Sequence, residues 1–413
     1  MTAAPVSSVG LTGDERLRRY AELAVRVGAN VQPGQDVVVT CLVEHAEIAR
    51  AISREAYRAG AKHVIVQYGD LHTRRAAIEL GPESELGWSA PYMLDWVHRW
   101  DEENPALISL TGNPDPDLLA GLDPALVGRS EPKELRLAYL ENIRGRHINW
   151  VIVAAPNEGW ATQVFGEPDV ERLWDAVATA TRLYEPDPVA AWKAHAENLQ
   201  RRADALNGLG LDALQFSGPG TDLRVGLLPG TQWQCASTST AKGIEFVPNV
   251  PTEEVFTSPD WRRTEGTVRS TYPLLTAGAR VSGLELRFEG GKVVEVEADS
   301  GAEIIRQQIA SDEQAPYVGE IALVDGSSPV KQAGLVFCDT LFDENATCHM
   351  ALGDGMPETL DADIPRDELL GHGVNVSGIH VDFMIGGEEV DVDGLDRDGN
   401  ATPIIRGDMW QLG

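Results

Sequence analysis

Apolar and polar positions in the first half of the chain alternate between a helical and a strand-like period. Apolar residues recur every three to four positions over residues 13–28, 44–59 and 71–80, which predicts amphipathic helices. Between and after them lie short apolar runs bounded by turn residues. These runs predict strands over residues 35–42, 63–67, 106–110 and 150–155. Strands that alternate with helices favour βαβ units and a parallel sheet.

The pattern changes near residue 200, after a last helix predicted over residues 190–207. Beyond it the apolar runs are short, alternating and interrupted by glycine, which is typical of antiparallel strands. The clearest of them cover residues 222–227, 281–288, 292–298 and 378–385. We therefore predict an α/β N-terminal domain with a parallel sheet over residues 1–200. Residues 201–413 are predicted to form an α+β domain rich in antiparallel strands.

Composition narrows the possible partners. The 413 residues include 34 Lys and Arg against 64 Asp and Glu, so the formal charge is −30. A field of this sign repels phosphate groups, and we expect neither a nucleic-acid nor a membrane partner. No run approaches the roughly 18 apolar residues of a membrane span. The four cysteines lack a CxxC spacing and the first residues lack a signal-peptide pattern, so we expect a cytoplasmic protein.

The acidic excess is concentrated in residues 341–400, where fifteen acidic side chains accompany two basic ones. This window contains His380-Val-Asp382 within an apolar run. On a strand, residues two apart project from the same face, so the imidazole and the carboxylate would lie side by side. Such a pair can bind an ion together, or it can form an ordinary hydrogen-bonded contact. The motif alone does not decide between the two.

Two further segments favour a cation site. His349 stands in the polar stretch Asp343–Gly353, and Glu253 and Glu254 are adjacent in the proline-bounded segment Pro248–Pro259. Neighbouring carboxylates repel each other, so a pair in a rigid loop needs a cation or solvent close by. A solvated loop remains the alternative.

Three other motifs are predicted to be structural. Ser239-Thr-Ala-Lys242 matches the S-x-x-K of acyl-transferring enzymes but lacks the partner motifs, so a surface turn is predicted. The segment 391–400 is similar to a calcium loop but lacks the glycine required at the sixth position, which favours a hairpin turn. Cys348, beside His349, is predicted to be a packed thiol rather than a nucleophile.

Long, ordered stretches of the chain carry a family resemblance. They are Val250–Pro259, Gly319–Val324, Thr340–Gly353 and Asn375–Gly386, together with Val31–Val39 in the first half. Through these stretches the whole chain resembles the thermophilic-type metallo-aminopeptidases, the aminopeptidase T and aminopeptidase S family. The resemblance implies removal of N-terminal residues from peptides through a water activated by two metals, in a homodimer.

The resemblance also implies which side chains hold the two divalent metal ions. They are Glu254, Glu320, His349, His380 and Asp382. Oxygen and imidazole ligands without thiolate suit zinc, cobalt or manganese, and bridging carboxylates can hold two ions about 3.5–4 Å apart. Glu253 neighbours a ligand without easily sharing its direction, so we predict that it is the general base, with Glu320 or another carboxylate as the alternative.

One position departs from the family pattern, which continues to a tyrosine seven residues after the first histidine. Here that position is Met356. A thioether cannot donate a hydrogen bond, so transition-state stabilisation by that tyrosine would be missing. Weak activity, a substitute donor such as Tyr317 or Lys331, or a changed substrate would each account for the departure.

Two alternative functions stay open at this point. The first is hydrolysis of a non-peptide amide, which Met356 makes more credible. The second is a ring-cleaving dioxygenase with one Fe(II), which His349, His380 and Asp382 could hold as a facial triad. Because Glu254 and Glu320 are both present, the residues favour two metals and hydrolysis.

Overall fold

The computed structural model describes residues 11–276, 279–360 and 364–413, and these residues form two compact units. The first unit comprises the described part of Met1–Lys193 together with Ser237–Val250. The second comprises Ala194–Ala236 and the described part of Pro251–Gly413. The division predicted at residue 200 treats each domain as continuous in sequence, whereas here a short segment returns to the first unit.

The helices occupy mostly the first half of the chain, as the periodicity predicts. In chain order they are α1 (Gly13–Leu23), α2 (Ala46–Arg58), α3 (Leu71–Leu80), α4 (Pro91–Val97), α5 (Trp100–Glu103), α6 (Pro124–Arg129), α7 (Lys133–Arg144), α8 (Glu158–Phe165), α9 (Val170–Ala180), α10 (Pro188–Leu209), α11 (Ala302–Ile309), α12 (Pro329–Gln332), α13 (Thr340–Asp343) and α14 (Arg366–Leu369). Within the described residues, none of them has the length and apolar character needed to span a bilayer.

The strands lie mostly in the second half. In chain order they are β1 (Asp36–Leu42), β2 (His63–Gly69), β3 (Ala106–Thr111), β4 (Asn149–Ala154), β5 (Ala213–Gly218), β6 (Thr221–Leu227), β7 (Thr238–Ser239), β8 (Glu245–Phe246), β9 (Asn249–Val250), β10 (Val255–Thr257), β11 (Pro259–Arg269), β12 (Leu274–Thr276), β13 (Ala279–Val281), β14 (Glu285–Glu289), β15 (Lys292–Glu297), β16 (Val318–Leu323), β17 (His349–Gly353), β18 (His380–Met384), β19 (Asp391–Leu395), β20 (Ala401–Arg406) and β21 (Met409–Trp410).

The first unit is built on a parallel sheet with the strand order β2-β1-β3-β4-β9. The valines of β1, residues 37–39, are fully buried, as expected of a strand covered on both faces. After α1, a π-helical turn over Ala24–Gly28 packs closely on β4. A Cβ atom at Gly28 would lie 2.6 Å from a methyl group of Val151, so only glycine allows this approach. The predicted α/β class is confirmed.

The described part of the second unit contains two large antiparallel sheets, besides the two-stranded antiparallel pair β12-β13. The larger has the order β15-β14-β11-β6-β5-β19-β20-β21, and the smaller has the order β10-β16-β17-β18. The predicted strand over residues 281–288 is divided into β13 and β14. Gly283 lies between them with a φ of +58°, and this left-handed conformation ends one strand before the next begins. The antiparallel character predicted for this half is confirmed.

The two motifs predicted to be turns are turns. Ser239 ends β7, Lys242 is exposed, and Gly243 has a φ of +80° before β8 returns. Asp396 stands between β19 and β20, where its side chain accepts the backbone N–H groups of Asp398 and Asn400. Both segments are therefore β-hairpin turns.

Candidate metal centre

The smaller antiparallel sheet places two carboxylates on one face with an alanine between them. Glu320 on β16 is paired with Ala351 on β17, and Ala351 is paired with Asp382 on β18. Directly opposed residues of antiparallel strands project to the same side of a sheet. The methyl group of Ala351 therefore stands between the two carboxylates and leaves room that a larger side chain would fill.

Two histidines extend from this same face. His349 lies two positions before Ala351, and His380 lies two positions before Asp382. Residues two apart on a strand project to the same side, so both imidazoles share the face of the two carboxylates. His380 is opposed by Gly353, which has no side chain to compete for the space. The shared face that the H-x-D spacing predicts is present.

Glu254 reaches the face from the segment between β9 and β10, and its Oε2 lies 3.0 Å from Nε2 of His349. Two sets of side chains can each place their ligand atoms within 4.8 Å of one another: the first is Glu254, Glu320 and His349, and the second is Glu320, His380 and Asp382. All five side chains that the resemblance assigns to metal binding thus come together. Because Glu320 belongs to both sets, its carboxylate stands where a bridging ligand would.

Both imidazoles are held by backbone carbonyl groups. Nδ1 of His380 lies 2.9 Å from the carbonyl oxygen of Asp354, and Nδ1 of His349 lies 3.4 Å from that of Thr347. A carbonyl oxygen can only accept, so each Nδ1 carries the hydrogen and each Nε2 turns toward the carboxylates. Oε2 of Glu254 is buried there without a hydrogen-bond donor of ordinary geometry. Two lone pairs that face each other call for a proton or a cation between them.

The pKa values show how strongly this face attracts positive charge. Burial lowers the pKa of His349, but the hydrogen bond and charge of Glu254 outweigh it and raise the pKa to about 10. Burial likewise opposes charge on His380, whose pKa Asp382 and Glu320 nevertheless raise well above its usual range. Burial raises the pKa of Glu320, although His380 opposes the shift. Divalent ions would supply the same compensation without these extra protons, so the donor set fits a metal centre.

Glu344 is a further acidic residue at this face, and sequence reasoning did not single it out. It opens the short helical turn Glu344–Ala346 that leads into β17. Burial, and after it the charges of Asp382 and Glu254, raise the pKa of Glu344 well above its usual range. Its carboxyl group therefore adds to the negative charge that surrounds this face. The only sequence signal was its place in the polar stretch before His349.

Glu253 belongs to neither ligand set. Its Oε2 lies 3.4 Å from Nε2 of His195 on α10, whereas the neighbouring Glu254 contacts His349. The backbone N–H of Glu253 donates to Oδ1 of Asn345 at 2.7 Å. The two adjacent carboxylates thus diverge, as the predicted difference in their roles requires. His195 is a second residue to which no sequence motif points.

Two neighbouring positions were also singled out in the sequence. Cys348 is buried, its thiol faces the carbonyl oxygen of Val324, and burial raises its pKa to about 12. It is the packed, inert thiol that was predicted. Met356 lies two residues after Asp354, whose carbonyl oxygen contacts His380. Its backbone N–H donates to Oγ of Ser258 at 2.7 Å, which holds this loop beside the centre.

Comparison with known proteins agrees with this geometry. The family model described as thermophilic metalloprotease (M29) matches residues 13–410. Aminopeptidase T of Thermus aquaticus is 44% identical over 405 residues, covering 96% of this chain and 99% of that protein. Aminopeptidase 2 of Geobacillus stearothermophilus is 36% identical, covering 96% and 98%. The structure of wild-type AmpT from Thermus thermophilus matches with a TM-score of 0.90 and 41% identity, covering 97% of this chain and 100% of that one.

Proposed function

The chain belongs to the M29 family of thermophilic metalloproteases, and from that premise we propose that the face formed by β16, β17 and β18 is its catalytic centre, with two divalent metal ions. The enzyme is a metallo-aminopeptidase. The observation that carries the two-metal proposal is the place of Glu320 in both ligand sets. The non-peptide amide and the ring-cleavage alternatives are not favoured, since the relatives compared above are aminopeptidases.

Each ligand residue has a distinct task in this proposal. Glu254 and His349 would hold one ion, His380 and Asp382 would hold the other, and Glu320 would contribute to both. When bound, such a pair of ions polarises the scissile carbonyl group and makes water a stronger acid. The carbonyl groups of Thr347 and Asp354 keep the imidazoles in the tautomer that ligation needs. Zinc, cobalt and manganese all suit this donor set.

Glu253 then serves as the general base. Its carboxylate is adjacent in sequence to Glu254 but is held toward His195, which leaves it outside both ligand sets. From this place it takes a proton from the attacking water and passes it to the leaving amine. The acidic excess of residues 341–400 attracts the protonated N-terminus of a peptide as well as metal ions.

The proposal extends to the compartment and the oligomeric state of the enzyme. None of the four cysteines, which all lie in the described part of the chain, forms a disulfide bond. This supports a reducing compartment, and we propose the cytoplasm. The resemblance stated above supports a homodimer, which sedimentation equilibrium of the purified protein tests.

Metal analysis and a substrate panel test the proposed function together. The purified enzyme is expected to contain two divalent ions per chain and to lose activity with a chelator. Zinc, cobalt or manganese should restore it. Aminoacyl anilides should be cleaved and their N-acetylated counterparts should not, because a free amine is required. One iron per chain with oxygen uptake, or equal cleavage of the N-acetylated compounds, would contradict the proposal.

Replacing Met356 with tyrosine tests whether this enzyme lacks a hydrogen-bond donor. We expect Met356→Tyr to raise kcat on aminoacyl anilides by up to about 10²–10³-fold, since one donor to a developing oxyanion contributes about 2.7–4 kcal/mol. Met356→Phe is the matched control, since it adds the ring without the hydroxyl group. An equal effect of both variants would assign the change to packing, and no effect would mean that another donor already acts. Of the two candidates, Lys331 lies 3.7 Å from Asp408, and Tyr317 packs on Trp261.

A further inference from the structure

The peptide group that joins Thr252 to Glu253 is held from both of its polar ends. Its N–H, on Glu253, donates to Oδ1 of Asn345 at 2.7 Å. Its carbonyl oxygen, on Thr252, lies 2.9 Å from Nε2 of His195. In a trans peptide group these two atoms point in opposite directions, so the two contacts together prevent the group from rotating. The direction in which the Glu253 side chain leaves the backbone is thereby set.

Asn345 is itself firmly placed. It is fully buried, and its amide nitrogen donates to the carbonyl oxygen of Leu341 at 2.9 Å. It directly follows Glu344, so one short helical turn contributes both a carboxyl group at the metal centre and the clamp on Glu253. This side of the clamp belongs to the same local structure as the centre.

His195 forms the other side and contacts the carboxylate as well. Its Nε2 lies 3.4 Å from Oε2 of Glu253, in addition to the contact with Thr252. Both partners accept hydrogen bonds, and a carbonyl oxygen can do nothing else, so Nε2 must carry a hydrogen. A single N–H group is thus shared between the backbone before Glu253 and the Glu253 side chain.

The position of His195 on α10 is one where an apolar residue would otherwise be expected. The same helix face carries Leu199, Ala203 and Leu206, which are all buried. The His195 side chain is only 10% exposed. A buried imidazole on an apolar stripe needs partners, and these partners are the peptide group and carboxylate of Glu253.

We infer that His195 is a positioning residue for the reaction: its Nε2–H orients the Glu253 carboxylate, while Asn345 holds the backbone beneath it. The inference rests on the proposed role of Glu253 as general base. His195 touches neither ligand set in this assignment and acts through Glu253 alone. Removing the donor would leave the metals in place but let the base leave its productive orientation.

Two substitutions separate the donor from the volume of the side chain. Gln can place an amide N–H near the position of Nε2, whereas Leu fills the space without a donor. We expect His195→Leu to lower kcat roughly 10- to 100-fold, the effect of losing one hydrogen bond to a charged group. KM should stay within about threefold. His195→Gln should restore most of kcat, and His195→Asn, whose amide is one carbon shorter, should not.

Readouts other than activity exclude a general structural effect. The metal content of each variant should equal that of the wild type, and the metal-free proteins should unfold at similar temperatures by calorimetry. If the leucine variant does not fold, the comparison between His195→Gln and His195→Asn still tests the donor. Loss of metal in His195→Asn, or equal kcat values for the Gln and Asn variants, would overturn the inference.

A double-variant cycle tests whether His195 acts through Glu253. In the Glu253→Gln background, His195→Leu should cost no more than about threefold in kcat, because its target has already been removed. If His195→Leu lowers kcat as much in the Glu253→Gln background as in the wild-type background, His195 does not act through Glu253. Should Glu253→Gln alone leave kcat unchanged, the base assignment itself fails. A Glu253→Gln defect combined with a fully active His195→Leu variant would overturn only the His195 inference.

Discussion

Glu320→Gln is expected to lower turnover at least about 10³-fold, because the metal ions together stabilise the transition state by several kcal/mol. Glu320 is the residue common to both ligand sets, so its replacement should weaken the binding of both ions rather than of one. An amide keeps the volume and one oxygen but removes the negative charge that holds two divalent cations. Elemental analysis should therefore show fewer than two ions per chain, and excess metal should restore little activity.

The metal-free form of this variant gives the discriminating measurement. Without ions, Glu320 is a buried carboxyl group whose pKa burial raises, in the company of other carboxylates. Replacing it with a neutral amide removes the repulsion from Glu254 and Asp382 but also the attraction to His380. These effects oppose each other, so the metal-free variant should unfold at a temperature close to that of the metal-free wild type. Glu297→Gln, an exposed strand glutamate, is the matched control and should alter neither activity nor metal content. A Glu320→Gln protein with two ions and full turnover would contradict the bridging role.

Glu253→Gln is expected to keep both ions and to lose about 10²–10⁴-fold in kcat, the usual contribution of a general base. The reason lies in the divergence of the two neighbouring carboxylates, since Glu253 faces His195 and Glu254 faces His349. Neither steric volume nor the backbone contact to Asn345 changes in the variant. Metal content and single-turnover kinetics measured on one preparation would separate loss of chemistry from loss of metal.

The adjacent Glu254→Gln variant provides the contrast. It should lose metal along with activity, because Glu254 belongs to a ligand set and Glu253 does not. If the two variants behave alike, the structural distinction between the neighbouring glutamates has no functional meaning. A Glu253→Gln variant that loses metal would transfer that residue from base to ligand.

Several features of both units follow from short-range regularities of the chain. The two-residue period of a strand was enough to place His380 and Asp382 on one face, and a turn with a left-handed glycine was enough to explain the hairpin at Ser239–Lys242. These features depend on residues that are close in sequence. The run over residues 281–288 was the exception, since its apolar pattern continues across Gly283 while the backbone does not.

The residues that sequence reasoning missed depend on long-range placement. Glu344 matters because its turn meets strands that are distant in sequence, and His195 matters because α10 brings it to the peptide group before Glu253. Neither has a local motif. The one sequence signal at His195 is its place on the apolar face of a helix, where a buried imidazole requires hydrogen-bond partners. The return of Ser237–Val250 to the first unit could not be predicted from the sequence either, because β9, which joins the parallel sheet, is only two residues long.

The small sheet that carries the ligands also determines when the enzyme can become active during its synthesis. Its ligands extend from Glu254 in the segment before β10 to Asp382 on β18, so no shorter nascent chain contains a complete set. The pairing of β16 with β17 and of β17 with β18 joins residues that leave the ribosome far apart in time. A peptidase organised in this way cannot cut its own emerging N-terminus or that of a neighbouring chain before nearly the whole polypeptide has been made.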